Sequence, residues 1–226
     1  KADALKTLLT GVMSRVPIRW GLTGTIPKEK FESQSLLVSI GPVISQLAAS
    51  ELQDRGVLAQ CHVNIVQLVD HAEFTNYQSE LKYLLEEENR LKTIANLVRQ
   101  VNTTGNTLVL VDRIAAGQAL VAQLNDAVFV SGSIRSDKII VATYGVAAVG
   151  INLPRIFNLV LLEPGKSFVR VIQSIGRGIR KAEDKDHVEI WDITSTCKFA
   201  KRHLTKRKTF YKEANYPFTQ EKLEWK

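Results

Sequence analysis

The sequence predicts an α/β fold in which a mainly parallel sheet is flanked on both faces by helices, and two observations predict it. Five short runs, Thr107 to Val111, Ala127 to Val130, Ile139 to Ala142, Leu159 to Leu162 and Val188 to Ile193, are apolar nearly throughout. Strands that alternate apolar and polar residues face water on one side, whereas continuous apolar runs belong to strands covered on both. Helix-like segments such as Ala115 to Leu124 and Phe168 to Ile175 separate most of these runs, and strands alternating with helices build parallel sheets. Ligands of such sheets gather beyond the carboxyl ends of the strands. The loops after Val111, Val130, Ala142, Leu162 and Ile193 are therefore where chemistry is expected.

In chain order, Leu5, Leu8, Leu9, Val12 and Val16 recur at helical spacing and predict a helix from Ala4 to Val16, closed by Pro17. A short strand is expected at Ile18 to Leu22. From Phe31 to Val69 the pattern is broken by Gly41-Pro42 and Gly56, which predicts a connector with a helix at Val43 to Arg55 and a strand at His62 to Val69. Tyr77 to Val101 carries Leu81, Leu84, Leu85, Leu91, Ile94, Ala95, Val98 and Val101 three or four apart. It reads as one long amphipathic helix with Glu86 to Glu88 in water. Only Ser131 to Lys138 lie between the second and third apolar runs, fewer than a parallel crossover normally takes. Either the two strands form a hairpin or a helix has been left out of this stretch, and the second is expected.

The chain has 226 residues, 45% of them hydrophobic and 23% charged, enough to bury a substantial core. No apolar run approaches the roughly 18 residues of a membrane span, and no signal segment opens the chain, so no membrane partner is expected and the cytoplasm is the expected compartment. The chain opens at Lys1 and its single methionine, Met13, lies inside a helical pattern, so it reads as part of a longer polypeptide. Cys61 and Cys197 lack the paired spacing of a zinc site or a disulfide framework, and no metal site is expected. The net charge is +7. Much of the excess follows Cys197, in Lys198, Lys201, Arg202, Lys206, Arg207, Lys208 and Lys212, which suggests a polyanionic partner. Aromatics also gather there, at Trp191, Phe210, Tyr211, Tyr216, Phe218 and Trp225. They could stack on a single strand, but packing of the tail onto the sheet is the preferred reading.

Two glycine patterns invite a phosphate-binding reading and fail it. Gly165-Lys166-Ser167 copies the end of a P-loop, but Val160 stands where the first glycine is needed to wrap amides around the phosphates. Gly176-Arg177-Gly178 opens a dinucleotide fingerprint and puts Lys181 at its third glycine. The informative segment is Gln173 to Lys181, reading QSIGRGIRK. Arg177 and Arg180, three apart at the end of a helical segment, project to nearly the same side, and adjacent glycines leave room for a bulky anion. Guanidinium is permanently charged and forks onto phosphate oxygens, as stabilisation of a transferring phosphoryl group requires.

Gln173 to Arg180 resembles the QxxGRxxR motif VI of superfamily 2 helicases. Val141 to Pro154 is similar to their motif V, Leu22-Thr23-Gly24-Thr25 to motif III, and Leu108 to Arg113 to the motif IV strand. The four occur in the family's order across residues 18–181. The resemblance implies a RecA-like lobe with its parallel sheet, plus a remnant of a preceding RecA-like lobe. It implies residues 1–35 as the end of that first lobe, 36–76 as connector, 77–200 as the second lobe and 201–226 as a basic tail. Arg177 and Arg180 would be arginine fingers reaching ATP, with Gln173 ordering the γ-phosphate side. Gly150 and Asn152 would adjoin the nucleotide, although many relatives carry aspartate at the position of Asn152. Thr143, Arg113, Ser131 and Gly132 would contact the nucleic acid, and Thr23, Gly24 and Thr25 would couple hydrolysis to strand movement. The phosphate-cradling lysine loop and the acidic magnesium motif do not precede Leu22. ATP and Mg2+ would then be held mainly by a missing first lobe, the chain's own partner besides DNA or RNA, and this piece alone would not turn ATP over.

Overall fold

The computed structural model describes residues 2–23, 30–47, 51, 54–55, 60–130, 139–150, 156–165 and 187–225. Its contacts divide into two units, Lys1–Leu47 and Ala48–Lys226.

In the larger unit the apolar runs become strands of one seven-stranded sheet. They are β1 (Gln60–Leu68), β2 (Thr107–Val111), β3 (Ala127–Val130), β4 (Ile139–Thr143), β5 (Asn158–Leu162), β6 (His187–Ser195) and β7 (Phe218–Leu223). Their order is β3-β4-β2-β5-β6-β1-β7 and every pairing is parallel. The helices of this unit among the described residues are α3 (Tyr77–Glu86), α4 (Glu88–Asn102), α5 (Ile114–Gln123), α6 (Tyr144–Gly150) and α7 (Lys198–Glu213), and the smaller unit holds α1 (Ala2–Thr10) and α2 (Lys30–Ser39).

Strand side chains alternate between two apolar layers, as the period of two requires. Leu108, Leu110, Ile140, Ala142, Leu159 and Leu161 face one layer, which Tyr144 and Ala147 of α6 and Leu204 and Tyr211 of α7 complete. Val109, Val111, Val141, Val160 and Leu162 face the other, which Leu81 of α3, Ile94 and Val98 of α4 and Leu120 of α5 cover. Burial on both faces explains why β2 and β5 are buried at every position. The end of α4 is tied to the start of β5. Asn158, buried at the start of β5, donates through Nδ2 to the Val101 carbonyl (3.1 Å) and the Gly105 carbonyl (3.0 Å). Gly105 has φ +149°, and a Cβ there would lie 2.7 Å from Cβ of Phe157, so only glycine fits.

The long helix expected from Tyr77 to Val101 is broken. Glu87 is extended (φ −66°, ψ 120°), closing α3 through its N–H to the Tyr83 carbonyl and opening α4 by accepting from the Arg90 N–H at 2.5 Å. A carboxylate that satisfies an orphan helix donor is a local choice that hydrophobic spacing does not reveal. The hairpin alternative for the short link also falls. β3 and β4 pair in parallel, Ala127 against Ile139 and Val130 against Ala142, while the link itself, residues 131–138, lies outside the described residues. The stretch read as connector contributes β1, which sits between β6 and β7. The residues read as a basic tail form most of α7 and all of β7, whose Phe218 to Leu223 pair with Val63 to Leu68. Tyr211 and Tyr216 are buried, and Phe210 and Phe218 pack against them, so the aromatics do fold back onto the sheet.

In the smaller unit α1 (Ala2–Thr10) is shorter than expected and gives way to turns at residues 11–15, while α2 (Lys30–Ser39) lies where no helix was expected. Of the helix expected at Val43 to Arg55, residues 43–47 are not helical, Glu51 and Asp54 are, and residues 48–50 and 52–53 lie outside the described residues. Ile18 to Leu22 is not a strand, since among the described residues nothing pairs with it. Trp20 and Leu22 are 78% and 97% exposed. Arg19 organises this unit by donating to the Met13, Ser14 and Val16 carbonyls after α1 and to the Ser39 carbonyl at the end of α2. A guanidinium suits unsatisfied carbonyls at helix ends.

Candidate functional site at the carboxyl edge of the sheet

With all seven strands parallel, their carboxyl ends share one edge. Val111 pairs with Thr143, Leu110 with Leu161, and Leu162 with Ile193. The loops starting at Asp112, Tyr144, Glu163 and Thr196 thus leave neighbouring strands, which lie about 4.8 Å apart.

Two of the residues named from sequence stand here with described side chains. Thr143 ends β4 and caps α6, its Oγ1 accepting from the Val146 N–H at 3.4 Å; a hydroxyl so engaged still has its own proton to donate. Arg113 precedes α5, half-buried, and its Nη2 donates to Gln78 Oε1 at 2.7 Å. Gly150 is the last residue of α6, about two turns from Thr143. Thr23 belongs to the smaller unit and is exposed. Gln173, Arg177, Arg180, Asn152, Ser131, Gly132, Gly24 and Thr25 lie outside the described residues, as does the helix expected at Phe168 to Ile175.

Two buried guanidiniums that the motifs did not single out hold this edge. Arg90, 0% exposed, donates through Nε to both oxygens of Asp70 (3.2 and 3.3 Å), through Nη1 to the Leu84 carbonyl (2.5 Å) and through Nη2 to Glu163 Oε1 (2.6 Å). Asp70 also accepts from Ser195 Oγ (2.5 Å) and Trp225 Nε1 (3.2 Å), and Glu163 from Thr194 Oγ1 (3.2 Å). Arg207 forks onto Asp192 (2.8 and 2.9 Å) and donates through Nη1 to the Pro164 carbonyl (2.6 Å), while Tyr211 Oη donates to Asp192 Oδ2 at 2.8 Å. Arg207 is therefore not part of the free basic excess that the sequence suggested.

Glu163 and Pro164 are thus gripped from two sides just where the chain leaves β5. Glu163 has φ +44°, a left-handed conformation that costs a non-glycine residue about 1–2 kcal/mol and persists when surrounding bonds over-determine it. Burial pushes its carboxyl above the usual range, although Arg90 and Arg207 pull the other way. Tyr77, at the start of α3, stands beside Gly165, whose Cβ would meet its Oη at 3.2 Å. Burial, together with Asp112 and Glu163, raises the Tyr77 phenol against the pull of Arg113. A sequence signal for this cluster existed: Glu163-Pro164 directly follows an apolar strand, at an edge where chemistry was expected. Arg90 had none, since its inward turn depends on the break at Glu87.

Among the described residues, no group of three or more His, Cys, Asp or Glu side chains is placed to hold a metal ion, and no helix is long and apolar enough to cross a membrane. Cys61 and Cys197 are both buried, and neither is in a disulfide. Burial pushes the Cys197 thiol up to about 11, although Ser195 pulls it down. At pH 8 only about one Cys197 thiol in a thousand is then ionised. A maleimide is expected to label neither cysteine of the folded chain within minutes, and both after denaturation in guanidinium; fast labelling of Cys197 in the native protein would contradict the burial described.

No family model matches the chain. It is 25% identical over 238 aligned residues to the ATP-dependent DNA helicase uvsW of Enterobacteria phage T4, covering 94% of this chain and 47% of that protein. The chain thus spans about half the length of that curated relative. The crystal structure of T4 UvsW superposes with a TM-score of 0.63 and 22% identity, over 73% of this chain and 42% of that one. A fragment of a putative HsdR subunit of a type I restriction enzyme from Vibrio vulnificus YJ016 gives 0.65 at 16% identity, over 88% and 43%. A structure of S. cerevisiae Dbp5 with RNA and ADP BeF3 gives 0.56 at 14% identity, over 88% and 50%. The likeness to superfamily 2 helicases read from the motifs is borne out, and the seven-stranded parallel unit has the fold of their RecA-like lobes.

Proposed function

We propose that this chain is the second motor lobe, with the end of the first, of an ATP-dependent helicase acting on branched DNA in replication, recombination or repair. One observation carries the reading. The strings that resemble motifs IV and V begin in β2 and β4, adjacent strands of a parallel sheet, and their Arg113 and Thr143 emerge together at its carboxyl edge. The string that resembles motif VI follows β5, whose exit at Glu163-Pro164 is fixed by two buried guanidiniums.

In this reading Arg177 and Arg180 supply positive charge to the γ-phosphate of ATP, Gln173 orders it, and Gly150 and Asn152 adjoin the nucleotide. Thr143 and Arg113, with Ser131 and Gly132, hold the nucleic-acid backbone. Thr23 to Thr25 pass hydrolysis on to movement. ATP and Mg2+ are held mainly by a first lobe that supplies the phosphate-binding lysine and the acidic residues, so this chain alone does not hydrolyse ATP. The smaller unit is compatible with such a partner: Val12, Ile18, Trp20, Leu22, Phe31 and Ile44 are all largely exposed. The setting is the cytoplasm, the host's if the protein is phage-encoded.

The test is ATP turnover and strand displacement by the natural polypeptide that contains this chain, on forked and on linear DNA. Faster displacement on forks, with DNA-stimulated turnover, is the expected result. Turnover without displacement would instead make it a double-strand translocase. Salt-sensitive binding with no turnover would reduce it to a phosphate-binding module.

A further inference from the structure

Helix α7 starts at the same carboxyl edge, two residues after β6, and its outward side is strongly basic. Lys198, Lys201, Arg202, Lys206 and Lys212 are exposed. Among the described residues none of these five is in an ion pair. At 3.6 residues per turn the five fall within about 140° of the helix circumference, an arc that also takes in exposed Glu213, with Lys198, Arg202 and Lys206 on successive turns about 6 Å apart.

Such a helix works against itself. Like charges four apart repel, and cations in the first turn oppose the helix dipole. The first turn of α7 holds no acidic residue, and its N-cap, Cys197, makes no side-chain cap hydrogen bond. The compensation comes from another element: buried Glu80 of α3 accepts from the Phe199 N–H (3.0 Å) and the Ala200 N–H (2.7 Å). The start of the helix is thus neutralised from its inner side, while the outer side keeps its charge for a partner.

We propose that this face grips the phosphate backbone of double-stranded nucleic acid, at the same sheet edge as Thr143 and Arg113; it rests on the helicase reading only for the presence of nucleic acid. A polyanion is the complement of five unpaired cations. A single strand held without sequence preference needs exposed aromatics to stack its bases. Here Tyr211 and Tyr216 are buried, Phe210 and Phe218 pack on them, and Trp225 packs on the other layer. Phe199 is covered by Lys198 and Arg202, whose charged groups lie 5.8 and 5.7 Å from its ring centre. What the face offers is charge along about 21 Å of helix, and a duplex offers a phosphate every 1.7 Å or so of its axis.

The test compares the natural polypeptide with its Lys201→Gln, Arg202→Gln, Lys206→Gln triple variant. Binding of a blunt duplex and of a single strand of the same length is measured without nucleotide across a salt series, together with ATP turnover stimulated by the single strand. The expected result is a loss of duplex affinity of about tenfold or more near 0.1 M salt. The slope of log K against log salt should shrink by about 2.7, three phosphate contacts' worth, while single-strand affinity and turnover stay within about twofold. An unchanged duplex affinity and slope overturns the proposal, and so does an equal loss for the single strand. Failure of the helicase reading shows separately, as absent turnover in the unaltered protein, and leaves the duplex comparison intact. Relief of the repulsion among these exposed side chains offsets the loss of Arg202 from the Phe199 ring, so the variant should melt close to the parent.

Discussion

Alanine in place of Arg180 is expected to lower nucleic-acid-stimulated ATP turnover of the natural polypeptide by about 10³-fold or more, the range that an arginine finger contributes in related phosphoryl transfers. The expectation follows from chemistry that only guanidinium supplies. Charge develops on the equatorial oxygens of the transferring phosphoryl group, and a planar fork meets two of them at once, which an ammonium does not. Lysine at position 180 should therefore restore little of the rate. Affinity for ATP is expected to change far less than turnover, because an interaction made mainly in the transition state appears in kcat. Steady-state turnover and nucleotide binding, measured on a variant whose melting temperature matches the parent, check this. Turnover indifferent to Arg180 would remove the main support for the motor reading.

Methionine in place of Arg90 is expected to destabilise the larger unit by about 3–5 kcal/mol, the cost of breaking a buried charge pair by removing one partner. Against the 5–15 kcal/mol or so that a folded domain commands, this is a large share. Asp70 and Glu163 both lose their guanidinium donor and keep neutral donors, Ser195 and Trp225 for Asp70 and Thr194 for Glu163, which do not balance a buried charge, and the Leu84 carbonyl loses its donor as well. Glu163→Gln is the informative companion. It keeps the Arg90–Asp70 pair and a carbonyl oxygen for Nη2, so its loss should be clearly smaller. Urea unfolding followed by fluorescence measures both, and a near-neutral Arg90→Met would mean that the interior reorganises around the two acids.

Much of the sheet could be read from the chain because its strands carry their own signature. Thr107 to Val111 and Ala127 to Val130 were bounded to the residue, and the remaining three runs to within two residues at either end. A strand buried on both faces must be apolar throughout, and that demand is local. Ile18 to Leu22 has the composition of a strand, yet a strand exists only through hydrogen bonds to neighbours, and none of the described residues supplies them. The break at Glu87 escaped for the opposite reason. Leu81 to Val101 keeps its helical spacing across a single extended residue, so periodicity runs on through a kink made by one carboxylate.

The charges divide in the same manner. Lys201, Arg202 and Arg207 are indistinguishable as letters in a basic run; in the fold the first two face solvent while Arg207 is clamped on Asp192 beneath the exit of β5. The parallel α/β class, the edge where ligands should meet it and the strings that resemble a nucleic-acid motor are legible in the chain alone, because strand burial and motif residues are written in short consecutive segments. Folding alone settles which cations are buried and which stay exposed, and how Glu163 is held against its backbone preference. Those outcomes depend on Asp70, Arg90, Asp192 and Arg207, residues far apart in the chain that only folding brings together.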